Sequence, residues 1–249
     1  MRSLLPIFAC AVVVAACGGS DEPAATTITT TMAQAATTTA QAATTTAPLR
    51  IIPRGYDEFR AQPTACGADQ PPPVADLSFA APQDMAVVDP LRVTIETSCG
   101  PIVALLDPAT APETVNSFVF LAAEGYFDGS ASHRVFPGFI IQAGDPTATG
   151  FGGPGYTLPD EFPATDFVYA RGVLAMANSG QGTSGSQFFI VLADAPLPPQ
   201  FSVFGSVVEG FDVLDAIAGL PLGTAPGTGD SVPTTPLETL YIERVSLER

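Results

Sequence analysis

Only two stretches of this chain carry an apolar stripe of helical period; elsewhere the apolar residues come in short runs broken by glycine or proline. With 23 Gly and 25 Pro in 249 residues, a helical bundle is excluded, because both residue types interrupt helices and mark turns. In "LRVTIET", Leu91, Val93 and Ile95 share one face by strand alternation. "SCG" then turns the chain and "PIVALLD" returns it, which predicts a hairpin. The first helical stripe is in "APETVNSFVFLAAEG", where Val115, Phe118, Val119 and Ala122 fall on one side. Pro112 and Glu113 suit its start, and Gly125 its C-terminal cap. The second is in "VEGFDVLDAIAGL", with Val213, Leu214 and Ile217 facing inward. Two helices among many closely spaced strands predict a mainly β domain, an antiparallel barrel capped by helices.

The N-terminal fifty residues do not fit that domain. Arg2 precedes an apolar run of 13 residues, "LLPIFACAVVVAA", too short for a bilayer but normal for a secretory signal. The run ends in "VAAC", small residues before a cysteine. This resembles the lipobox of bacterial lipoproteins, which implies a signal at 1–16 and a lipid-modified Cys17. An ordinary signal peptide that contains a cysteine is the alternative. Residues 17–50 are rich in Ala and Thr, with "AQAATTT" repeated at 33–39 and 40–46. The repeat has no Leu, Ile or Val for a coiled-coil seam, so it reads as a disordered tether of about 30 Å. Residues 51–89 read as a Pro-rich extension packed on the domain, and 90–249 as the domain itself.

Export sharpens the cysteine arithmetic. With Cys10 in the signal and Cys17 carrying lipid, Cys66 and Cys99 remain, and an oxidising compartment predicts one disulfide between them. Two buried thiols or a metal site are the weaker alternatives, since the chain has one histidine and no CxxC to complete a ligand set. The formal charge of −16 and the absence of lysine leave no basic patch, which argues against nucleic-acid binding.

Several catalytic classes also fall away. "GQGTSG" (180–185) fits GxGxxG, but "SQFFIVLAD" follows it instead of a helix, so it does not read as a nucleotide loop. There is no GxSxG elbow, and one histidine cannot build a two- or three-His metal site. His133, in an apolar stretch, reads as a packed residue beneath a groove rather than a base. Beside it stands Arg134, amid Phe136, Phe139, Ile140 and Ile141. A guanidinium stays protonated and cannot be a base, but it can donate to an atom whose electron density rises in a transition state. Rotation about an Xaa–Pro amide creates such an atom, because lost resonance leaves the nitrogen lone pair as an acceptor. That chemistry needs an apolar pocket and a donor, with no nucleophile, acid, base or cofactor.

Three blocks, "HRVFPGFIIQAGD" (133–145), "LAMANSGQGTSGSQFFIVL" (174–192) and "FSVFGSVVEGFDVLDAI" (201–217), resemble the signature blocks of cyclophilin-type peptidyl-prolyl cis-trans isomerases. The similarity runs from about Leu91 to the C-terminus, in family order and spacing. It implies an eight-stranded antiparallel closed barrel capped by two α-helices. It also implies that Arg134 is the catalytic donor to the prolyl nitrogen. Phe139, Ile140 and Phe189 would line the proline pocket, with Ile140 where the family usually has methionine. Gln142 would bind substrate backbone and orient Arg134, Ala177 and Asn178 would hold the substrate strand, and Gln187 would sit at the groove edge.

The resemblance breaks in "APLPPQFSVFG". Many relatives have a Trp-Leu pair and then a histidine there; this chain has no Trp, offers Leu197, and places Phe201 where the histidine would fall. Weak inhibition by cyclosporin is the implied consequence. The expected function is therefore acceleration of Xaa–Pro rotation in extracytoplasmic proteins. The chain would act as a monomer anchored through Cys17 to the outer face of a bacterial membrane, with proline-containing polypeptides as partners. A proline-peptide binding or chaperone module with little turnover is the alternative, and it would not need the arginine.

Overall fold

The computed structural model describes residues 52–226 and 229–248. The expected signal peptide at 1–16, the lipid-bearing Cys17 and the tether at 17–50 lie outside them. In chain order the elements begin with a short helix α1 (Tyr56–Arg60), then β1 (Leu91–Thr97), β2 (Gly100–Leu106), α2 (Pro112–Ala123), β3 (Arg134–Phe136) and β4 (Ile140–Ala143). They continue with β5 (Val173–Met176), β6 (Phe188–Val191), β7 (Val203–Glu209), α3 (Phe211–Ala218), β8 (Leu222–Gly223), β9 (Thr235–Pro236) and β10 (Ile242–Leu247).

The expected hairpin forms, with Val93 opposite Ala104 and Ile95 opposite Ile102. Eight strands make one antiparallel sheet in the order β10-β1-β2-β7-β5-β6-β4-β3. The sheet curls until its ends meet, but the seam is not a β3–β10 pair. Residues 129–132 do the joining: the Gly129 N–H donates to the Ile242 carbonyl (2.8 Å) and the Ser132 N–H to that of Leu240 (2.8 Å). A single bridge, Ala131 to Tyr241, lies between them. The expected closed barrel is thus a strongly curled sheet stitched along one side by a loop.

The interior is filled by inward-facing residues of the eight sheet strands and by the two capping helices. Val115, Phe118, Val119 and Ala122 of α2 are buried, as are Val213, Leu214 and Ile217 of α3. Phe118 is the hub, its ring centroid 5.1–5.5 Å from those of Phe127, Phe188 and Phe204. Burying a side chain of this size contributes about 1.5–3 kcal/mol. Gly125 ends α2 as expected, at φ +70°, where a Cβ would be strained. The start of α2 is capped from a distance, since the Glu161 carboxylate accepts from the Glu113 and Thr114 N–H groups (2.9 and 2.8 Å).

Residues 52–89 lie against this barrel. Phe79 packs edge-on against Phe120, 4.9 Å between centroids. Ala65 N–H donates to the Thr239 carbonyl (3.0 Å), and Cys66 is bonded to Cys99 with their Cα atoms 5.1 Å apart. One turn of helix, α1, forms where proline-rich composition suggested none; Asp57 and Glu58 sit in its first turn and Phe59 is its buried face.

Candidate active site

The strands β3, β4, β6 and β5 are covered on both sides, and period-two alternation sorts their residues between two apolar bodies. Val135, Ile141, Leu174, Met176, Phe188 and Ile190 point into the barrel. Ile140, Val173, Ala175, Phe189 and Val191 point outward into a second cluster, joined by Tyr169, Ala195 and Val203. Phe136, Phe139, Ala177, Leu197 and Phe201 pack on that cluster from its rim. Arg134 and Gln142 follow from the same alternation. Register pairs Arg134 with Gln142, Gln142 with Phe189, and Phe189 with Ala175, so one cross-strand row runs from a guanidinium to an apolar floor.

Within the apolar part, ring contacts link Phe136 to Phe139 (5.4 Å) and Phe189 to Phe201 (5.4 Å), both edge-on. The Tyr169 hydroxyl fixes this corner by donating to the Phe201 carbonyl (2.9 Å). The polar end is a chain of amides. Gln142 Nε2 donates to Gln187 Oε1 (2.9 Å), and Gln187 Nε2 donates to the Gly152 carbonyl (2.9 Å). Asn178 Nδ2 donates to the Gln200 carbonyl (2.8 Å), which ties the strand after β5 to the loop before β7.

The guanidinium is held from one edge. Nε and Nη2 of Arg134 donate to the two carboxylate oxygens of Asp230 (2.8 and 2.7 Å), while Nη1 makes only a long contact of 3.5 Å to Gln142 Oε1. The Phe136 ring lies 5.8 Å from its Cζ. Two cavities, of about 580 and 380 Å³, meet at Gln142, Gly150 and Phe151. The larger holds Arg134, His133, Arg54 and Phe59; the smaller holds Ala177, Asn178 and Gln187. Phe151, at their shared edge, is 93% exposed.

With this geometry in place, comparison with known proteins is specific. Residues 92–245 match the model of the family described as cyclophilin type peptidyl-prolyl cis-trans isomerase/CLD. The chain belongs to the cyclophilin family. It is 41% identical over 164 residues to the probable peptidyl-prolyl cis-trans isomerase B of Mycobacterium tuberculosis, a match covering 59% of this chain and 53% of that protein. It therefore spans about half the length of that relative. Against peptidyl-prolyl cis-trans isomerase B of Streptomyces anulatus it is 40% identical over 181 residues, 65% of this chain and 99% of the other. A crystal structure of a Cryptosporidium parvum cyclophilin type isomerase, in the presence of the dipeptide Ala-Pro, superposes with a TM-score of 0.57 at 31% identity. That superposition covers 64% of this chain and 99% of the other.

Within this cyclophilin, the residues expected from the sequence fall into three neighbouring groups. Phe139, Ile140, Phe189, Leu197 and Phe201 gather in the outer apolar cluster. Ala177, Asn178 and Gln187 line the smaller cavity. Arg134 and Gln142 stand between, in adjacent strands. His133 lies behind Arg134, its Nδ1 shut off from water with no hydrogen-bond partner. Burial pulls its pKa down from 6.5 to about 4, Arg134 adds to the effect and Asp145 opposes it, so the ring is neutral at pH 7.

Two supporting groups escaped the sequence reading. Asp145, inside a quoted block, is fully buried, and its carboxylate organises the loop to Gly152. It accepts from the backbone N–H groups of Thr147, Thr149, Gly150 and Gly152 at 2.7–3.1 Å. Gly152 suits that position because a Cβ there would run into the Asp145 carboxylate. Asp230 sits 96 positions from Arg134 in a Gly/Pro/Thr-rich stretch without periodicity, so no local signal announces it.

Proposed function

We propose that this chain is a peptidyl-prolyl cis-trans isomerase that accelerates Xaa–Pro rotation in extracytoplasmic proteins, as a monomer anchored by lipid at Cys17. The observation that carries the activity is the position of Arg134: a guanidinium with its Nη1 edge uncommitted, at the end of a row whose floor is apolar. Phe139, Ile140 and Phe189 take the proline ring. Arg134 donates to the prolyl nitrogen as amide resonance is lost, which lowers a barrier of about 18–20 kcal/mol in water. Gln142 meets the substrate backbone, and Ala177 and Asn178 hold the flanking strand, with Gln187 at the edge. Proton transfer has no part in the step, so the neutral His133 is not required.

The export reading rests on the apolar run, the "VAAC" cysteine and the thiol count. Intact-mass analysis of membrane fractions tests it, and an unmodified, secreted Cys17 form would remove the anchor. For the activity, the full chain and Arg134→Ala are compared in an isomerisation assay on an Xaa-Pro peptide. A loss of about a hundredfold or more with the fold intact is expected. An inactive parent that still binds the peptide would make the protein a proline-binding module instead.

A further inference from the structure

We infer that Asp230 is the positioning residue of the active site: it locks the Arg134 guanidinium in plane and in direction, and the rate depends on that lock. This rests on the isomerase reading above. An arginine on its flexible stem samples many rotamers unless something holds it. For it to act on a developing lone pair without reorganisation, the protein must hold it beforehand. Gln142 adds one long hydrogen bond, at 3.5 Å, and the ring of Phe136 at 5.8 Å sets no direction. Among the described residues, the Asp230 carboxylate alone makes two short, parallel, charge-assisted bonds to it.

The choice of edge decides between a support and a block. Asp230 takes Nε and Nη2, the edge away from Gln142, and leaves the Nη1 hydrogens for the groove. A carboxylate that competed with substrate would occupy Nη1. The support is itself anchored: Thr234 Oγ1 donates to Asp230 Oδ2 (2.7 Å), and the Thr234 carbonyl accepts from the N–H of Val135, the residue after Arg134 (2.8 Å). The Thr234 N–H in turn donates to the Gly223 carbonyl in β8 (3.0 Å). Asp230 is therefore fastened to the same strand that carries the guanidinium, and the pair is mostly shielded, with side chains 25% and 10% exposed.

The test uses the full chain with Asp230→Ala, Asp230→Asn and both combined with Arg134→Ala, read by kcat/KM on an Xaa-Pro peptide and by the Kd of the same peptide. Asp230→Ala is expected to lower kcat/KM by about tenfold and to move Kd less than about twofold. Asp230→Asn, which keeps an acceptor but loses the charge, is expected to fall between, so a folding defect in the alanine variant does not end the test. In the Arg134→Ala background either change should have no further effect, since Asp230 acts only through Arg134. The Arg134 Nε–H resonance is expected to exchange slowly in the parent, where Asp230 accepts from it, and freely in both variants. An active parent whose rate is unchanged or raised by Asp230→Ala overturns the role, as does additivity with Arg134→Ala. An inactive parent overturns the isomerase reading and this role with it.

Discussion

Phe59 shares a small buried cluster with Ala148, and that contact joins the segment preceding the barrel to the loop that frames Arg134 and Gln142. The neighbouring Tyr56 N–H donates to the Thr147 carbonyl (2.9 Å), so side chain and backbone grip the same loop. Removing the ring leaves a cavity at a site 1% exposed. Phe59→Ala should cost about 3–5 kcal/mol, read as a lower urea midpoint, and lower kcat/KM as the loop loosens. A variant with the parent's midpoint would show that the extension is not part of the folded core.

Asp145 holds that loop from inside. Burial works to raise its pKa, but the Thr147 hydroxyl and the Gly152 and Thr147 N–H groups outweigh it and hold the carboxyl below 3.8. A depressed carboxylate contributes stability above its unfolded value that is lost as pH falls through the folded one. Asp145→Asn should therefore cost about 3 kcal/mol or more at pH 7. The gap from the parent should narrow as pH falls below 3.8. A constant gap across that range would mean the charge is not what matters.

His133 governs a different window. The unfolded imidazole takes a proton below its ordinary value of 6.5, whereas the buried one resists to about 4. Its contribution is whole above 6.5 and drains away between 6.5 and 4, before Asp145 titrates. Urea midpoints at pH 7, 5.5 and 4.5 should fall for the parent and flatten in His133→Leu. Parallel curves for the two proteins would rule out the histidine as the source.

The Cys66–Cys99 bond spans a sequence separation of 33. In the chain-entropy model its reduction costs about 3–4 kcal/mol. Neither cysteine lines the two cavities beside Arg134, so reduced, folded protein should isomerise at the parent's rate while unfolding at lower urea. A reduced protein with unchanged urea midpoint would show that the bridge adds no stability.

Much of this fold was readable because its signals are local. Alternation in Leu91–Thr97 and the stripes Val115–Ala122 and Val213–Ile217 each lie within one element, and three blocks in order carried the groove. What stayed hidden depends on distance. Glu161 caps α2 from 48 positions away. Asp230 reaches Arg134 across 96, out of a loop with no period. The seam at 129–132 is too short to show strand alternation, and one bridge with its flanking hydrogen bonds satisfies its backbone. Helix α1 escaped since five residues surrounded by prolines give no stripe; tertiary burial of Phe59 holds it.

The order of attachments along residues 52–66 has a mechanical meaning. Tyr56 and Phe59 grip the active-site loop upstream of Cys66, outside the covalent clamp. Tension applied from the N-terminal side reaches those non-covalent holds first and the disulfide only after they yield. A pull too weak to unfold the barrel can thus peel the brace from the loop beside Arg134, which makes that groove the first part of the described fold to feel a load applied from upstream.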